Sequence, residues 1–396
     1  MTARPDIICL SHLRWDGVFQ RPQHLMSRFG RRGRVFYFEE PLLLGSEARP
    51  RLDVTSRPGG VHVAQPHLAT GLQRGAAEAA QERMLAVLLR EFAVRDYVLW
   101  YYTPLAVRFT GALAPVAVVY DCMDELRAFK GASPDLAECE ELLLQRASLV
   151  FTGGQSLYEA KRYRHPQVYS FPSGVDVEHF RGARSPDATE PQDQAGLPHP
   201  RLGFFGVLDE RLDVELLDHV ARERPDWQLV MVGPIAKIST SDLPQRPNIH
   251  YLGAKPYAEL PAYLSGWDVA LMPFARNEST RFISPTKTPE YLAAGCPVVS
   301  TPIRDVVRPY GERGVVRIAD TAADFVKQLD AAIAFDRGDS VRSRAVEALL
   351  KDKSWDRTWE AMDQLLQENR DRPSPRSTSL WLRAVSALAP GRKVTA

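Results

Sequence analysis

Residues 281–301 read RFISPTKTPEYLAAGCPVVST, and the fold class follows from them. Ser284-Pro285 predicts a helix start, a capping hydroxyl followed by a first-turn proline, and Ala293-Ala294-Gly295 predicts its end. PVVST (297–301) is then a buried strand. Such a helix–turn–strand unit belongs to a parallel sheet covered on both faces. A helix start offers unpaired N–H groups and partial positive charge, which suit a phosphate. Lys287 lies in that first turn, where a cation opposes the helix dipole and adds little stability. Glu290, three residues on, shares its face. With Ser284 and Thr286 beside them, the pair reads as a cation for phosphate and a carboxylate for vicinal hydroxyls. The plainer alternative is an exposed Lys–Glu pair on a surface helix.

On both sides of this unit, β-rich runs alternate with helical patterns. DIICLS (6–11), VFYFEE (35–40), VHVAQP (61–66), YVLWYY (97–102), VAVVYD (116–121), LVFTGG (149–154) and VYSFPSG (168–174) precede a break. Residues 181–200, RGARSPDATEPQDQAGLPHP, lack any hydrophobic period and read as an interdomain linker. The alternation resumes with RLGFFGVL (201–208), WQLVMVG (227–233), NIHYLG (248–253), WDVALMPF (267–274), PVVST and VVRIAD (315–320). The expectation is an α/β protein with two Rossmann-like parallel-sheet domains, 1–180 and 201–350, and a ligand cleft at the carboxyl ends of their strands. Residues 351–370 form an amphipathic closing helix, with Trp355, Trp359, Met362 and Leu365-Leu366 at helical spacing, and 371–396 a flexible tail. Within the tail, SLWLRAVSALA beside Arg383, Arg392 and Lys393 leaves two readings open, a frayed or locally packed end and a weak peripheral contact with the inner membrane face.

Composition narrows the class. A chain of 396 residues predicts two domains, and 44% apolar with 25% charged residues is a globular balance. Fifty basic residues against 49 acidic ones leave a net charge of +1, which argues against a surface built for nucleic acid. The longest apolar runs are too short to span a membrane, and Arg14 and Asp16 end the first one too early for a signal peptide. Cys9, Cys122, Cys139 and Cys296 form no Cys-x-x-Cys pair and read as buried thiols in a reducing cytoplasm. The histidines are too scattered for a metal site.

In the first domain, SHLRWDGVFQRPQHLMSRF follows the first strand. Gly17 allows close backbone approach, Arg21 and His24 lie at a helix start, and Trp15 offers a stacking face for a sugar ring, with core packing as its alternative. The segment VAVVYDCMDELRAF ends a buried strand in Asp121 and continues through Asp124 and Glu125. Carboxylates crowded at a strand end repel one another unless partnered, and such clusters often serve as general bases. Asp124 is the first candidate base and Asp121 the second; a helix cap with solvated neighbours is the alternative.

These segments together resemble the GT-B-fold glycosyltransferases, in particular the family-4-like group and its xanthan-type glucuronosyltransferase relatives. Pro172-Ser173-Gly174-Val175-Asp176 with Phe180 resembles the stretch leading into the second domain. Phe205-Gly206-Val207, Val232-Gly233, Leu252-Gly253 and Trp267–Pro273 resemble successive landmarks of the donor domain, and Pro285-x-Lys287-x-x-Glu290 through Val299 its donor-binding helix. The resemblance implies transfer of a sugar from a nucleoside-diphosphate sugar to a hydroxyl of a sugar, lipid-linked or small-molecule acceptor, with no metal or other cofactor. It implies Lys287 on the diphosphate, Glu290 on the ribose, Gly206 and Arg211 at the first donor-domain turn, and Asp124 as base. Where the family carries an earlier acid, eight residues before Glu290, this chain has Phe282, so the stereochemical outcome stays open. The rival readings are a nucleotide-sugar epimerase on the same fold and a degenerate protein that only binds a glycan or partner.

Overall fold

A computed structural model describes residues 4–334 and 340–370. The tail and its SLWLRAVSALA segment therefore lie outside the described residues. In the first domain the strands are β1 (Asp6–Ser11), β2 (Val35–Glu39), β3 (Leu42–Leu44), β4 (Arg51–Arg57), β5 (Val61–Ala69), β6 (Tyr97–Tyr101), β7 (Ala117–Cys122), β8 (Leu149–Thr152) and β9 (Val168–Ser170). They form a nine-stranded sheet in the order β3-β5-β2-β1-β6-β7-β8-β9, with β4 paired to β5. Every ladder is parallel except β4–β5. β1, β2, β6, β7 and β8 are almost wholly buried, as their continuous apolar runs require. β4, RLDVTSR, is an exposed, charged strand at the sheet's edge, and its polar composition conceals it from a hydrophobicity reading.

The second domain contains β10 (Arg201–Phe205), β11 (Gln228–Val232), β12 (Ile249–Gly253), β13 (Val269–Met272), β14 (Val298–Ser300) and β15 (Arg317–Ile318), all parallel. Their order, β12-β11-β10-β13-β14-β15, reverses between β10 and β13, and the first sheet reverses between β1 and β6. At such switch points the loops leave in opposite directions and open a crevice at the carboxyl ends of the strands.

The segment 181–200 is docked and not free. Its short helix Gln192–Ala195 buries Gln194, which accepts from the Trp267 indole N–H at 2.7 Å and donates to the Tyr263 carbonyl at 3.0 Å. Asp193 accepts from Tyr263 and from Lys255, each within 3.0 Å. A polar stretch that satisfies a buried indole leaves no hydrophobic period to read.

The helix Trp355–Arg370 returns to the first domain. Trp355, Trp359, Met362 and Leu366 pack with Ile7, Cys9, Val98, Trp100 and Val119 on one face of its sheet. All four cysteines are buried and none forms a disulfide. Among the described residues no helix is long and apolar enough to cross a membrane.

Candidate functional site

A cavity of about 670 Å³ lies where the two carboxyl edges face each other. The second domain contributes the ends of β10, β11 and β13 through Phe205-Gly206-Val207, Val232-Gly233-Pro234 and Phe274, and the segment Ile283–Lys287 with Glu290. The first domain contributes Asp16–Arg21 after β1, Met123 and Asp124 after β7, and Gly153 after β8.

The decisive segment folds differently from its sequence reading at one end. The helix runs Lys287–Ala293, two residues shorter at its start than the Ser-Pro signal predicts, and no side chain caps it. Ser284, Pro285 and Thr286 stay irregular and line the cavity, which makes Lys287 the first helical residue. Glu290 is 5% exposed, so the surface-pair alternative fails. Among the described residues neither the Lys287 ammonium nor the Glu290 carboxylate has a hydrogen-bond or ion-pair partner, and both line the cavity. Burial lowers the Lys287 pKa, Arg211 lowers it further, and Glu290, Asp209 and Asp124 act in the opposite sense. Burial likewise raises the Glu290 pKa, against the pull of Lys287.

Backbone geometry makes room for Lys287. Gly206 has φ +139°, and a Cβ built there lies 2.2 Å from Lys287 Cε and 2.6 Å from its Nζ. Gly233, at φ +148°, has the same necessity one strand over, because its Cβ lies 1.8 Å from the Gly206 carbonyl oxygen. Lys287 Nζ is 5.4 Å from the Phe204 ring centroid and 5.9 Å from that of Phe274. The ammonium is thus steered by apolar walls and by glycines that cannot be replaced.

Arg211 is oriented by Asp209, which accepts from Nε at 2.9 Å and from Nη2 at 2.6 Å. The Phe129 ring from the first domain has Lys237 Nζ at 4.1 Å and the Arg211 guanidinium at 5.4 Å from its centroid. The Lys130 N–H also donates to Glu210 at 3.2 Å. These contacts clamp the loop after β7 onto the loop after β10 and set Asp124 within the field of Arg211.

The carboxylate cluster after β7 separates by partner. Asp121 is fully buried and accepts from Arg21 Nε at 3.1 Å and Nη2 at 2.8 Å. Glu125 pairs with Lys161 at 2.8 Å and Arg127 at 2.9 Å. Asp124 alone of the three has no such partner among the described residues, and it lines the cavity. Burial raises its pKa, opposed first by Arg211 and more weakly by Lys237 and Lys287.

Several sequence-based assignments need correction. Asp121 does not line the cavity; it neutralises Arg21, whose remaining Nη1 donates to the Phe171 carbonyl at 2.7 Å. Arg21 reaches the cavity wall but has no guanidinium face left for a phosphate. His24 stacks on Trp355 at 4.5 Å and lies off the cavity, with burial holding its pKa down. Trp15 packs edge-on against Tyr37 at 5.1 Å, so its packing alternative is the observed one. Gly17 lines the cavity but sits at ordinary φ, with only moderate crowding from Arg14. Phe19 and Tyr257, which carry no motif, line the cavity with rings 4.8 Å apart. Asp209 was legible only as the acid two residues before Arg211. Phe282, in the place of the family's earlier acid, packs against the first domain's core.

Residues 199–334 match the family model described as glycosyl transferases group 1. The matched span takes in the whole second sheet, β10 through β15. Over 220 residues the chain is 29% identical to TuaH of Bacillus subtilis (strain 168), provisionally assigned as a teichuronic acid biosynthesis glycosyltransferase. That match takes in 51% of this chain and 55% of TuaH, so the chain aligns with about half the length of this relative. Among solved structures, sucrose-phosphate synthase from Thermosynechococcus elongatus superposes with TM-score 0.67 at 16% identity, covering 92% of this chain and 99% of that one. An E. coli protein titled trehalose-6-phosphate, bound with UDP-2-fluoro glucose, gives 0.66 at 12% identity, covering 93% and 99%. A Burkholderia xenovorans trehalose-phosphate synthase in complex with glucose-6-phosphate gives 0.66 at 15%, covering 92% and 100%. At these identities the structures establish the fold, and that fold is GT-B. Lys287 and Glu290 lie within the matched residues, on the second-domain side of the cleft.

Proposed function

We propose that the protein transfers a glycosyl group from a nucleoside-diphosphate sugar to an acceptor hydroxyl. One observation carries this reading: an unpartnered ammonium and an unpartnered carboxylate face one cavity from a single helix, in a space kept open by Gly206 and Gly233. Buried charges without partners are costly unless a ligand completes them. In this reading Lys287 and Arg211 neutralise the diphosphate and Glu290 accepts from the ribose hydroxyls. The bond between the anomeric carbon and the diphosphate oxygen breaks, and a bond from that carbon to the acceptor oxygen forms. The acceptor proton passes to Asp124, and negative charge leaves on the diphosphate beside Lys287. These cations supply the charge compensation, and no resident metal is invoked. Similarity to TuaH favours a polysaccharide or related glycoconjugate as the product.

Thermal shift with UDP, GDP, ADP and TDP tests the donor, because a ligand that binds only the folded state raises its melting temperature. Lys287→Ala is expected to weaken binding of the stabilising nucleotide by about 1–3 kcal/mol, the range for a charge-assisted hydrogen bond. Unchanged affinity in a folded variant removes Lys287 from the site. Phe282 in the place of an acid favours one rival, a protein that binds without transferring. Slow release of free sugar from the nucleotide sugar argues against that rival.

A further inference from the structure

The cleft is electrostatically lopsided, and the imbalance bears on the acceptor. On the second-domain wall stand Lys287 and Glu290, both unpartnered among the described residues, with Arg211 held by Asp209 and Lys255 held by Asp193, so the cleft's one unspent cation lies on that side. On the first-domain wall the charged residues lining the cavity are Asp16, Arg21 and Asp124. Arg21 is consumed by Asp121 and the Phe171 carbonyl. Asp16 is held in the fork of Arg57, at 3.1 Å from Nε and 2.6 Å from Nη2, which neutralises Arg57 as well. Arg14, in the same loop, is turned onto Glu39 at 3.1 Å and Gln65 at 2.8 Å. The charge left unspent on this wall is one carboxylate, Asp124. A phosphate brought here loses hydration, meets no available cation and faces Asp124. The other side chains on the wall are Val18, Met123 and the 39% exposed phenyl ring of Phe19, with the neutral polar Gln20 and Ser173. An apolar face with a few neutral polar groups and one carboxylate suits the C–H face and hydroxyls of a pyranose.

We infer that the acceptor enters the cavity as an uncharged, hydroxyl-rich sugar ring and that the first-domain wall selects against phosphorylated sugars. The inference rests on the transferase reading and names its acceptor class. Nucleotide binding is scored first: if none of the four nucleotides stabilises the protein, the donor reading falls on its own. The full chain, saturated with the nucleotide that does bind, is then probed by saturation-transfer NMR with methyl glucoside, methyl galactoside, methyl mannoside and glucose 6-phosphate. Signal is expected from at least one neutral glycoside and none from glucose 6-phosphate. Asp16→Asn frees the Arg57 guanidinium at an exposed pair, so the fold should survive. That variant is expected to bind glucose 6-phosphate about tenfold or more tightly than the parent. Glucose 6-phosphate binding the parent more tightly than the neutral glycosides overturns the inference. So does silence from all three glycosides at tens of millimolar, or an Asp16→Asn variant with no gain for the phosphate.

Discussion

Lys287 starts below its ordinary pKa because burial and Arg211 both disfavour its charge, while Glu290, Asp209 and Asp124 only partly offset them. A bound diphosphate reverses this by favouring the ammonium, so Lys287 takes up a proton on the alkaline side. Glu290, whose pKa burial raises, would release one on accepting from ribose, and the Glu290→Gln variant isolates the Lys287 contribution. Its nucleotide affinity is therefore expected to fall as pH rises above neutrality, well before an ordinary lysine would titrate. Calorimetry in buffers of different ionisation enthalpy measures the uptake directly, and Lys287→Arg, which keeps its charge, should flatten the dependence. A flat profile in the Glu290→Gln protein would contradict this account of Lys287. Asp124 poses a separate test. Asp124→Asn should leave nucleotide affinity intact and slow single-turnover transfer by about 10²–10⁴-fold, the range for a lost general base. Near-normal transfer would point instead to a mechanism with no protein base, in which the leaving diphosphate takes the proton.

At the level of elements, the turn after β10 and the helix Lys287–Ala293 are one device. Gly206→Ala places a Cβ on the Lys287 side chain at a φ that disfavours alanine. It should weaken nucleotide binding about as much as Lys287→Ala does, and the double variant should show little further loss. Additive losses would mean that the two residues act separately. The helix Trp355–Arg370 offers a stability test away from the site. Trp359 is buried against Phe29 and the first sheet, so Trp359→Ala should cost about 3–5 kcal/mol in denaturant unfolding.

Across the whole molecule, a direct contact beside the cleft ties the two domains together. Asp305 of the second domain accepts from the Ser156 backbone N–H at 3.1 Å and from its hydroxyl, at the start of the helix Gln155–Lys161 of the first domain. Gly154 is needed there, since its Cβ would lie 2.4 Å from Asp305 Oδ2 and 2.6 Å from Ser284 Cβ. Glu159 adds pairs with Arg304 at 2.5 Å and Arg308 at 2.8 Å. Asp305→Ala removes a cap worth about 0.5–2 kcal/mol, and the loss falls on closure because cap and helix belong to different domains. Small-angle scattering should show a larger radius of gyration that saturating nucleotide partly restores. Dimensions unchanged from the parent would show that the contact does not govern closure.

The residues themselves announce the parallel sheets and the Lys287–Glu290 face, because both depend on local order: continuous β-branched runs, the spacing of a helical turn, glycines at strand ends. Sequence could also gather Asp121, Asp124 and Glu125 at one strand end, but it could not rank them. Ranking depends on Arg21 and Lys161, which lie far from that cluster along the chain and reach it only after folding. The same holds for Arg21 and His24, which read as ligands until Asp121 and Trp355 are seen to occupy them. The polar, charged edge strand β4 and the docked 181–200 segment escape a hydrophobic reading because backbone pairing and polar contacts hold them. A charge is available for chemistry only when nothing else in the folded chain pairs with it, and that condition is met or lost in three dimensions.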